Sequence, residues 1–395
     1  MNYRLAALIL IGLLALLPNT ITLHAAPTAI PPCANNIRYP RAPLTMCPET
    51  LIEYPFVQGI ASITALTFGS DGSLYLARPA TSEIIRLKPD SSGFLVAPYP
   101  APQTFAAGLP EPPNGLTYYD GAWYVAGDTM IVRLRDTNND GTADEQQIIA
   151  RDLPGGAGGW LGNIRVGPDK RLYVAKGASC ESCVETDLRR GALLSFALDG
   201  SDPQIVARGL HDSYDFDWSP LTGALYIVDN ERPSLPAELN MIPQSNGSSS
   251  AAVPDFGWPR CDAQAQPINK IDNCTGTLKP IATFAADSHP MGVSFYRQDA
   301  FPAYKNGLLV ALSGSWNAKE MAGFSLALVT FDSNGSPTVQ RLLPDPQTTS
   351  PSIADASLYL LSFYPDHLTG LAVSPEGWIY LSVSEGRIYR FRPRA

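Results

Sequence analysis

The stretch TALTFGSDGSLYL (Thr64–Leu76) decides the fold. It consists of two short segments of alternating apolar and polar residues, joined by the Asp-Gly turn that is typical of a tight β-hairpin. Six repeats of this kind, each too small to bury both of its faces alone, predict an all-β, six-bladed β-propeller. The other five repeats are NGLTYYDGAWYVA (Asn114–Ala126), NIRVGPDKRLYV (Asn163–Val174), YDFDWSPLTGALYIV (Tyr214–Val228), GVSFY followed by GLLVA (Gly292–Ala311), and TGLAVSPEGWIYL (Thr369–Leu381).

Several repeats continue into a third short strand that ends in basic or aromatic residues. We therefore predict that the propeller spans residues 60–395, with up to four strands in each blade. A stretch rich in Pro, Ser and Asn, at about 232–290, is predicted to be an inserted loop and a candidate lid. The third strands are Glu83–Leu87, Met130–Leu134, Ala192–Phe196 and Arg387–Phe391.

The charge balance of the 395 residues excludes several functions. The chain carries 28 Lys and Arg against 37 Asp and Glu, for a net charge of −9, and it has no basic run. Since nucleic-acid binding needs a surface that neutralises phosphates, no nucleic-acid partner is expected. The 36 Pro and 32 Gly are too frequent and too evenly scattered for a helical bundle, whereas a turn-rich β protein accommodates them.

The beginning of the chain has the features of an export signal. Arg4 is followed by the apolar stretch Leu5–Leu17, by Pro18, and by the small residues Ala25–Ala26. We expect a signal peptide over residues 1–26 and a secreted or periplasmic protein, with an uncleaved anchor as the alternative. No other apolar stretch is long enough for a membrane helix, so we expect no integral membrane domain.

Six cysteines fall into three local pairs. In an exported protein such pairs predict disulfides, although the sequence alone leaves their connectivity open. The pair with CxxC spacing also fits a redox motif, but no strand-to-helix unit surrounds it, and a zinc site would need two more ligands, so a loop staple is favoured. The pairs are Cys33 with Cys47, in an N-terminal extension predicted over residues 27–59, Cys180 with Cys183, and Cys261 with Cys274.

Three histidines occupy the same place in successive repeats. His211, His289 and His367 each come three or four residues before a matching position of an inner strand. The loops that enter the inner strands of a propeller share one face, so all three histidines are expected at one mouth of the central channel. Histidine suits acid–base and metal roles equally, and ordinary surface or structural roles are the alternative.

The loops after the second strands add charged and aromatic residues to the same face. As a group they are candidates for binding a small polycarboxylate or a sugar, and an ordinary solvated rim is the alternative. These residues are Arg78, Asp128, Lys176, Asp229, Glu231, Arg232, Trp316 and Lys319.

A separate loop has the spacing of a calcium site. Asp136, Asn138, Asp140 and Asp144 place oxygen ligands at alternate positions around a glycine turn. Gln147 stands where an EF-hand has its bidentate Glu, which excludes an EF-hand. The loop follows the third strand of its blade, so we predict structural calcium on the face away from the mouth, with a solvated turn as the alternative.

A series of motifs resembles the glucose/sorbosone dehydrogenase family over roughly residues 60–393. The resemblance implies a propeller that holds pyrroloquinoline quinone (PQQ) at the channel mouth with calcium beside it. It also implies oxidation of the anomeric carbon of an aldose by hydride transfer to the quinone. The motifs are Gly167-Pro168-Asp169 with Leu172-Tyr173-Val174, Ser179–Cys183, Arg190-Gly191-Ala192, Asn230-Glu231-Arg232 with Glu238-Leu239-Asn240, Phe256–Cys261 and Gly314–Asn317.

The chain departs from this family where the chemistry takes place. The segment GGWLGN (158–163) lacks the family's catalytic His, GLHD (209–212) replaces its Gly-Leu-Arg-Asn, and Ser313 stands where another His is expected. The candidate catalytic residues are therefore His211, which is the best base, Asp212 and His289. The candidate cofactor-binding residues are Lys176, Asn230, Arg232 and Trp316.

The leading hypothesis is an exported PQQ-dependent dehydrogenase whose partner is a small sugar or aldehyde. Two alternatives stay open. One is a catalytically degenerate propeller that binds carbohydrate or protein at the same mouth. The other is a metal-dependent lactone hydrolase that uses the three histidines.

Overall fold

Six antiparallel sheets of four strands make up the fold. The structure is a computed structural model. It describes residues 42–43, 45–53, 63–91, 93–95, 101–156, 161–231, 235–243, 252–269, 273–316, 322–345, 363, 366–384 and 386–394. The predicted all-β, six-bladed propeller is confirmed.

Each blade is one sheet, numbered here in chain order of its innermost strand. Blade 1 holds β2 (Ala65–Phe68), β3 (Leu74–Arg78), β4 (Glu83–Leu87) and β5 (Gln103–Ala106). Blade 2 holds β6 (Gly115–Tyr119), β7 (Ala122–Ala126), β8 (Ile131–Arg135) and β9 (Glu145–Ala150), and blade 3 holds β10 (Leu161–Val166), β11 (Leu172–Lys176), β12 (Ala192–Phe196) and β13 (Gln204–Arg208). Blade 4 holds β14 (Asp212–Trp218), β15 (Leu225–Asn230), β16 (Pro236–Ile242) and β17 (Ala282–Ala286), and blade 5 holds β18 (Pro290–Phe295), β19 (Leu308–Leu312), β20 (Ser325–Phe331) and β21 (Pro337–Leu343). Blade 6 holds β22 (Leu368–Val373), β23 (Ile379–Val383), β24 (Arg387–Pro393) and β1 (Met46–Glu53).

The described helices are two single 3₁₀ turns, Pro79–Thr81 and Pro302–Tyr304. Neither they nor any other described segment forms a helix long and apolar enough to cross a membrane.

The first strands of the blades form an inner ring, in which each contacts the first strand of both neighbouring blades. All six run in the same direction, so their starting ends define one face, which we call the mouth face. The hairpins between first and second strands, and between third and fourth strands, lie on the opposite face. The apolar core lies between blades, where second strands such as Ala122–Ala126 and Leu308–Leu312 are buried along their whole length.

The ring closes through the two ends of the chain. Strand β1 pairs antiparallel with β24, so the predicted N-terminal extension over 27–59 is wrong in part: Met46–Glu53 is the outer strand of blade 6. Buried Glu49 accepts hydrogen bonds from Arg390 at 2.8 Å and from Arg392 at 3.0 Å. A charge-assisted pair of this kind fixes the register between strands that are far apart in sequence.

The predicted loop over about 232–290 also needs correction at its ends. It contains β16 and β17, which complete blade 4. The inserted segment therefore runs from the end of β16 to the start of β17, on the side of the opposite face. Its described part returns along blade 3, where the backbone N–H of Trp258 donates to the carbonyl of Gly209 at 2.9 Å.

Two of the predicted disulfides are present. Cys180 is bonded to Cys183, and Cys261 is bonded to Cys274 within the insertion. Cys33, the predicted partner of Cys47, lies outside the described residues, as do residues 1–26. Local bridges suit these segments because each closes a loop that has no strand of its own.

Candidate functional site

The three histidines stand at the entrance to neighbouring blades. His211, His289 and His367 immediately precede β14, β18 and β22, so their common position on the mouth face is as predicted. They do not converge on one point. Among the described residues, the His, Cys, Asp and Glu side chains that come together closely enough to share a metal include none of the three. The hypothesis of a three-histidine metal centre is therefore wrong.

His211 is a buried histidine with a defined tautomer. Its backbone N–H donates to the Asp229 carboxylate at 2.9 Å, and its Nδ1 lies 2.7 Å from the carbonyl oxygen of Asn230. A carbonyl only accepts hydrogen bonds, so Nδ1 carries the proton and Nε2 is the basic nitrogen of the neutral ring. Nε2 lies 3.8 Å from the carboxylate of Glu181, in the disulfide-bonded loop, and Trp258 packs 5.4 Å away, measured between ring centres.

Asp212, the next residue, is a carboxylate in an unfavourable position. Its backbone N–H donates to Asp229 at 2.9 Å, and its carbonyl accepts a hydrogen bond from the Asn230 amide. Its side-chain Oδ1 is buried and has no hydrogen-bond partner among the described residues. Burial raises the pKa of Asp212 to about 7, with Asp229 adding to the effect and His211 opposing it.

An acidic cluster lies beside these two residues. Oxygens of Asp229, Glu231 and Glu238 come within 4.8 Å of one another, because Asp229 and Glu238 are paired across β15 and β16. Burial raises the pKa of Asp229, and it raises that of Glu238 to about 9, with Asp229 and Glu231 contributing. The Asn240 amide nitrogen donates to Glu238 at 2.8 Å, and its Oδ1 is buried with no partner among the described residues.

The chemistry of this donor set is specific. Carboxylate oxygens are the hard ligands that calcium prefers, and three of them come together here. Since like charges in a buried place are unfavourable without a cation or protons, the cluster is suited to binding a divalent ion.

Blades 5 and 6 present a different arrangement. His289 has its Nδ1 2.8 Å from the carbonyl of Asp287, and its φ of 47° is unusual for a residue other than glycine. The ring of His367 stacks on Trp316 at 3.6 Å and 6°, and Phe324 packs against it at 4.9 Å. Burial lowers the pKa of His367, with His289 contributing. Trp316, 56% exposed, thus has one face covered by His367 and the other available.

Two cations lie on the mouth face of blade 3. Lys176 is fully buried at the end of β11, where its Nζ donates to Asp128 at 3.1 Å. Burial lowers its pKa, Asp128 opposes this, and Arg190 lowers the pKa further. Arg190 donates to the carbonyl of Gly155, and its second terminal nitrogen is buried without a partner among the described residues. Arg232 and Lys319, predicted at the same rim, lie outside the described residues.

The predicted calcium loop of blade 2 lies on the opposite face, between β8 and β9. Its oxygens accept hydrogen bonds from its own backbone: Asp144 from Thr137 at 2.8 Å, Asp136 from Gly141 at 2.8 Å, and Asn138 from Asp140 at 2.8 Å. Calcium in this loop stays a prediction.

Sequence reasoning did not single out Glu181, Arg190 or Glu238 as site residues. A signal for Glu238 exists in the pattern Ala237-Glu238-Leu239-Asn240, where two polar residues on one side of a strand alternate with buried apolar ones. For Glu181 the only signal is its place between two bonded cysteines, which does not indicate the histidine that it approaches.

Comparisons with known proteins identify a family and a shared fold. A family described as "Domain of unknown function (DUF7133)" matches residues 99–313, and one described as "TrAA12-like" matches residues 260–390. An uncharacterized protein of Borreliella burgdorferi is 30% identical over 155 residues, which are 37% of this chain and 39% of that protein. The chain thus spans well under two thirds of that relative.

Solved structures share the fold. The iodide structure of a Trichoderma reesei carbohydrate-active enzyme of family AA12 is 18% identical with a TM-score of 0.72, over 91% of this chain and 100% of that chain. The holo form of the pyranose dehydrogenase PQQ domain from Coprinopsis cinerea is 12% identical with a TM-score of 0.71, over 91% and 99%. The apo-form of the soluble aldose sugar dehydrogenase from Escherichia coli is 16% identical with a TM-score of 0.62, over 89% and 100%. The resemblance to sugar dehydrogenase propellers is confirmed as a resemblance of fold.

Proposed function

We propose that this chain, which belongs to the family described as domain of unknown function DUF7133, is an exported oxidoreductase that oxidises a sugar or an aldehyde at the channel mouth. The observation that carries the proposal is His211, a buried histidine whose Nδ1 is held by a backbone carbonyl beside a cluster of buried carboxylates. The fold shared with sugar dehydrogenases supports the reaction class.

Oxidation of a CH–OH group to a carbonyl removes a hydride and a proton, so the site needs a base. Nε2 of His211 is suited to this role because the other ring nitrogen is already committed to the carbonyl of Asn230. The exposed carboxylate of Glu181 lies 3.8 Å from Nε2. Asp212, the next residue, places a second acidic group close enough to His211 to interact with it electrostatically.

Calcium is assigned to the acidic cluster. Asp229, Glu231 and Glu238 would hold the ion, and the partnerless Oδ1 of Asn240 supplies a fourth oxygen. A divalent cation relieves the repulsion among the carboxylates, and it brings positive charge to a mouth that would otherwise repel an anionic cofactor.

The quinone cofactor would be held by residues on two sides of the mouth. Lys176 and Arg190 offer adjacent positive charge, and the buried guanidinium nitrogen of Arg190 suits a carboxylate. The open face of Trp316 offers a surface for a flat ring. When bound, PQQ supplies the two-electron acceptor for the hydride. The two disulfides support an oxidising, extracytoplasmic location, and a signal peptide over residues 1–26 completes the proposal.

Reconstitution tests this proposal. The purified protein is incubated with PQQ and calcium, and dye reduction is measured with a panel of aldoses and aldehydes. We expect a change in the quinone absorption spectrum on binding and turnover with at least one substrate. Absence of both, in protein shown by circular dichroism to be folded, would disprove it.

The exposed face of Trp316 also favours a second function, a propeller that binds carbohydrate at its mouth without catalysis. Binding to a glycan array in the absence of PQQ, together with no turnover after reconstitution, distinguishes this function from the first.

A further inference from the structure

A cavity of about 790 Å³ lies far from the site described above, between blades 3 and 4. It opens at the opposite face, beside the hairpin that carries Asp169. The outer strand β13 and the inserted segment, including Val253 and Leu278, form its outer wall. None of the residues of the mouth contributes to it.

The equivalent space between blades 1 and 2 is filled by an aromatic cluster. Phe105, 1% exposed, packs edge-on against Tyr75 at 5.1 Å and lies 5.7 Å from Trp123, between ring centres. Tyr75 and Trp123 are themselves 3.8 Å apart and buried. The space between two blades of this protein therefore accommodates a phenyl ring at the level of Tyr75 and Trp123.

The strand registers identify the residues that take these places in the cavity. In blade 1, Tyr75 of β3 pairs with Arg86 of β4, and Arg86 pairs with Gln103 of β5. Phe105, two residues after Gln103, lies in the β-bulge of β5. In blade 3, Tyr173 of β11 pairs with Ser195 of β12, and Ser195 pairs with Gln204 of β13. A β-bulge again lies two residues after this glutamine. The residue in that second bulge is Val206, which is much smaller than Phe105.

The facing blades differ in the same direction. In blade 2, Trp123 pairs with Tyr118 at the hairpin, and in blade 4 the corresponding pair is Leu225 with Trp218. In register, Phe105 and Trp123 correspond to Val206 and Leu225, while the ring of Trp218 lies beside Gly167 and Tyr173 as that of Trp123 lies beside Gly69 and Tyr75. Part of the cavity is therefore the space beside Val206 that a ring such as that of Phe105 would fill.

We propose that this cavity is a binding site for a flat aromatic ring of a small molecule, which takes the place that Phe105 fills between blades 1 and 2. Its walls offer Tyr173 and Trp218 together with aliphatic side chains. Two such rings at a T-shaped 5.1 Å separation favour a third aromatic ring by the same edge and face contacts.

The polar groups around the cavity argue against a sugar as the ligand. Arg171 is bound to Ser195 and Asp202, the Tyr173 hydroxyl donates to Asp169, and the Gln204 amide donates to Asp202. These groups already have partners, whereas a sugar needs several free donors and acceptors to replace its water. An apolar ring needs none.

Ligand-observed NMR and calorimetry with 2-naphthol, on the full-length protein, test this site. We expect binding with a Kd of about 1 mM or tighter for a probe of this size. Val206→Phe, which restores the ring of blade 1, should weaken binding at least tenfold and leave the fold intact. Leu225→Trp, which enlarges another side chain that lines the cavity, provides a second variant if the first does not fold. Val339→Phe, at an exposed position of an outer strand in blade 5, is the matched control and should bind like the unaltered protein.

Three results would overturn the proposal: no binding of 2-naphthol up to its solubility limit, equal binding by the unaltered protein and by folded Val206→Phe or Leu225→Trp, or equal loss in the Val339→Phe control. Binding of glucose that is lost in Val206→Phe would replace the aromatic ligand by a sugar. None of these outcomes depends on PQQ or on activity, so they are independent of the proposed reaction.

Discussion

Two groups of carboxylates, one on each face of the propeller, have pKa values that are shifted in opposite directions. On the mouth face, burial raises the pKa values of Asp212, Asp229 and Glu238. On the opposite face, hydrogen bonds from Thr137 lower the pKa of Asp144, and hydrogen bonds from Ser201 lower that of Asp199. The residue types are the same, and the local backbone makes the difference.

On the opposite face Asp144 and Asp199 each lie in a tight turn and accept hydrogen bonds from that turn, so neither needs a further partner. At the mouth, acids from adjacent strands are brought together inside the protein, where Oδ1 of Asp212 and Oδ1 of Asn240 have no donor in the part of the chain that the structure describes. Groups that are costly to bury and are left incompletely paired mark a place for a ligand or for chemistry. The contrast therefore assigns function to the mouth and a structural role to the turns.

Among substitutions that compare the two faces, replacement of the base His211 should have the largest effect on activity. His211→Asn keeps a polar side chain but removes the basic nitrogen, and we expect kcat/KM of the reconstituted enzyme to fall roughly 100-fold or more. Asp199→Asn, in a turn of the opposite face, should leave kcat/KM unchanged. Equal activity of His211→Asn and the unaltered protein would remove His211 from the mechanism.

The next largest difference between the acidic cluster of the mouth and the loop of blade 2 is expected in calcium binding. If the ion binds the mouth cluster, a calcium concentration of 100 Kd stabilises the protein by about 2.7 kcal/mol, which appears as a rise in Tm. Glu238→Gln should abolish that rise, whereas Asp144→Asn should retain it. The reverse result would place the functional calcium in the loop of blade 2, and a partial rise in both variants would indicate two sites.

Much of this fold follows from the sequence because hairpins are local. Alternation around Asp71-Gly72 and its relatives suffices to predict six blades and the common position of the histidines. The strand Met46–Glu53 was missed because its partner lies at the other end of the chain, and β17 was missed because it is short and partly exposed. The acidic cluster was incompletely predicted for a similar reason: the burial of Glu238 depends on tertiary packing, which periodicity within one strand does not report.

The pH dependence of stability should also differ between the faces. Because the pKa of Glu238 is raised from 4.5 to about 9, its contribution to metal-free stability is complete below pH 4.5 and is lost as the pH rises toward 9. We expect a decline of roughly 2 kcal/mol or more over that range, and Glu238→Gln should flatten it.

For Asp144 and Asp199, whose pKa values are lowered from 3.8, the sign is opposite: their contributions are present above that pH and are lost on acidification. Urea unfolding at a series of pH values measures both limbs. In Asp144→Asn the loss of stability at acid pH should become smaller. If this variant reduced the loss at alkaline pH instead, the contrast between the faces would be contradicted.

The smallest effect is expected at the stacked pair of blades 5 and 6, where the group with a shifted pKa on the mouth face is a histidine and not a carboxylate. Burial under Trp316 lowers the pKa of His367 below 6.5, so the folded protein favours the neutral ring, and the contribution to stability is lost as the pH falls below 6.5. Trp316→Ala exposes the ring, so the pKa of His367, followed by NMR titration, should rise toward its ordinary value. In Trp316→Phe, which keeps an aromatic ring over His367, the pKa of His367 should stay close to that in the unaltered protein. Equal titration of His367 in the unaltered protein and in Trp316→Ala would show that the stacked indole does not cause the lowered pKa.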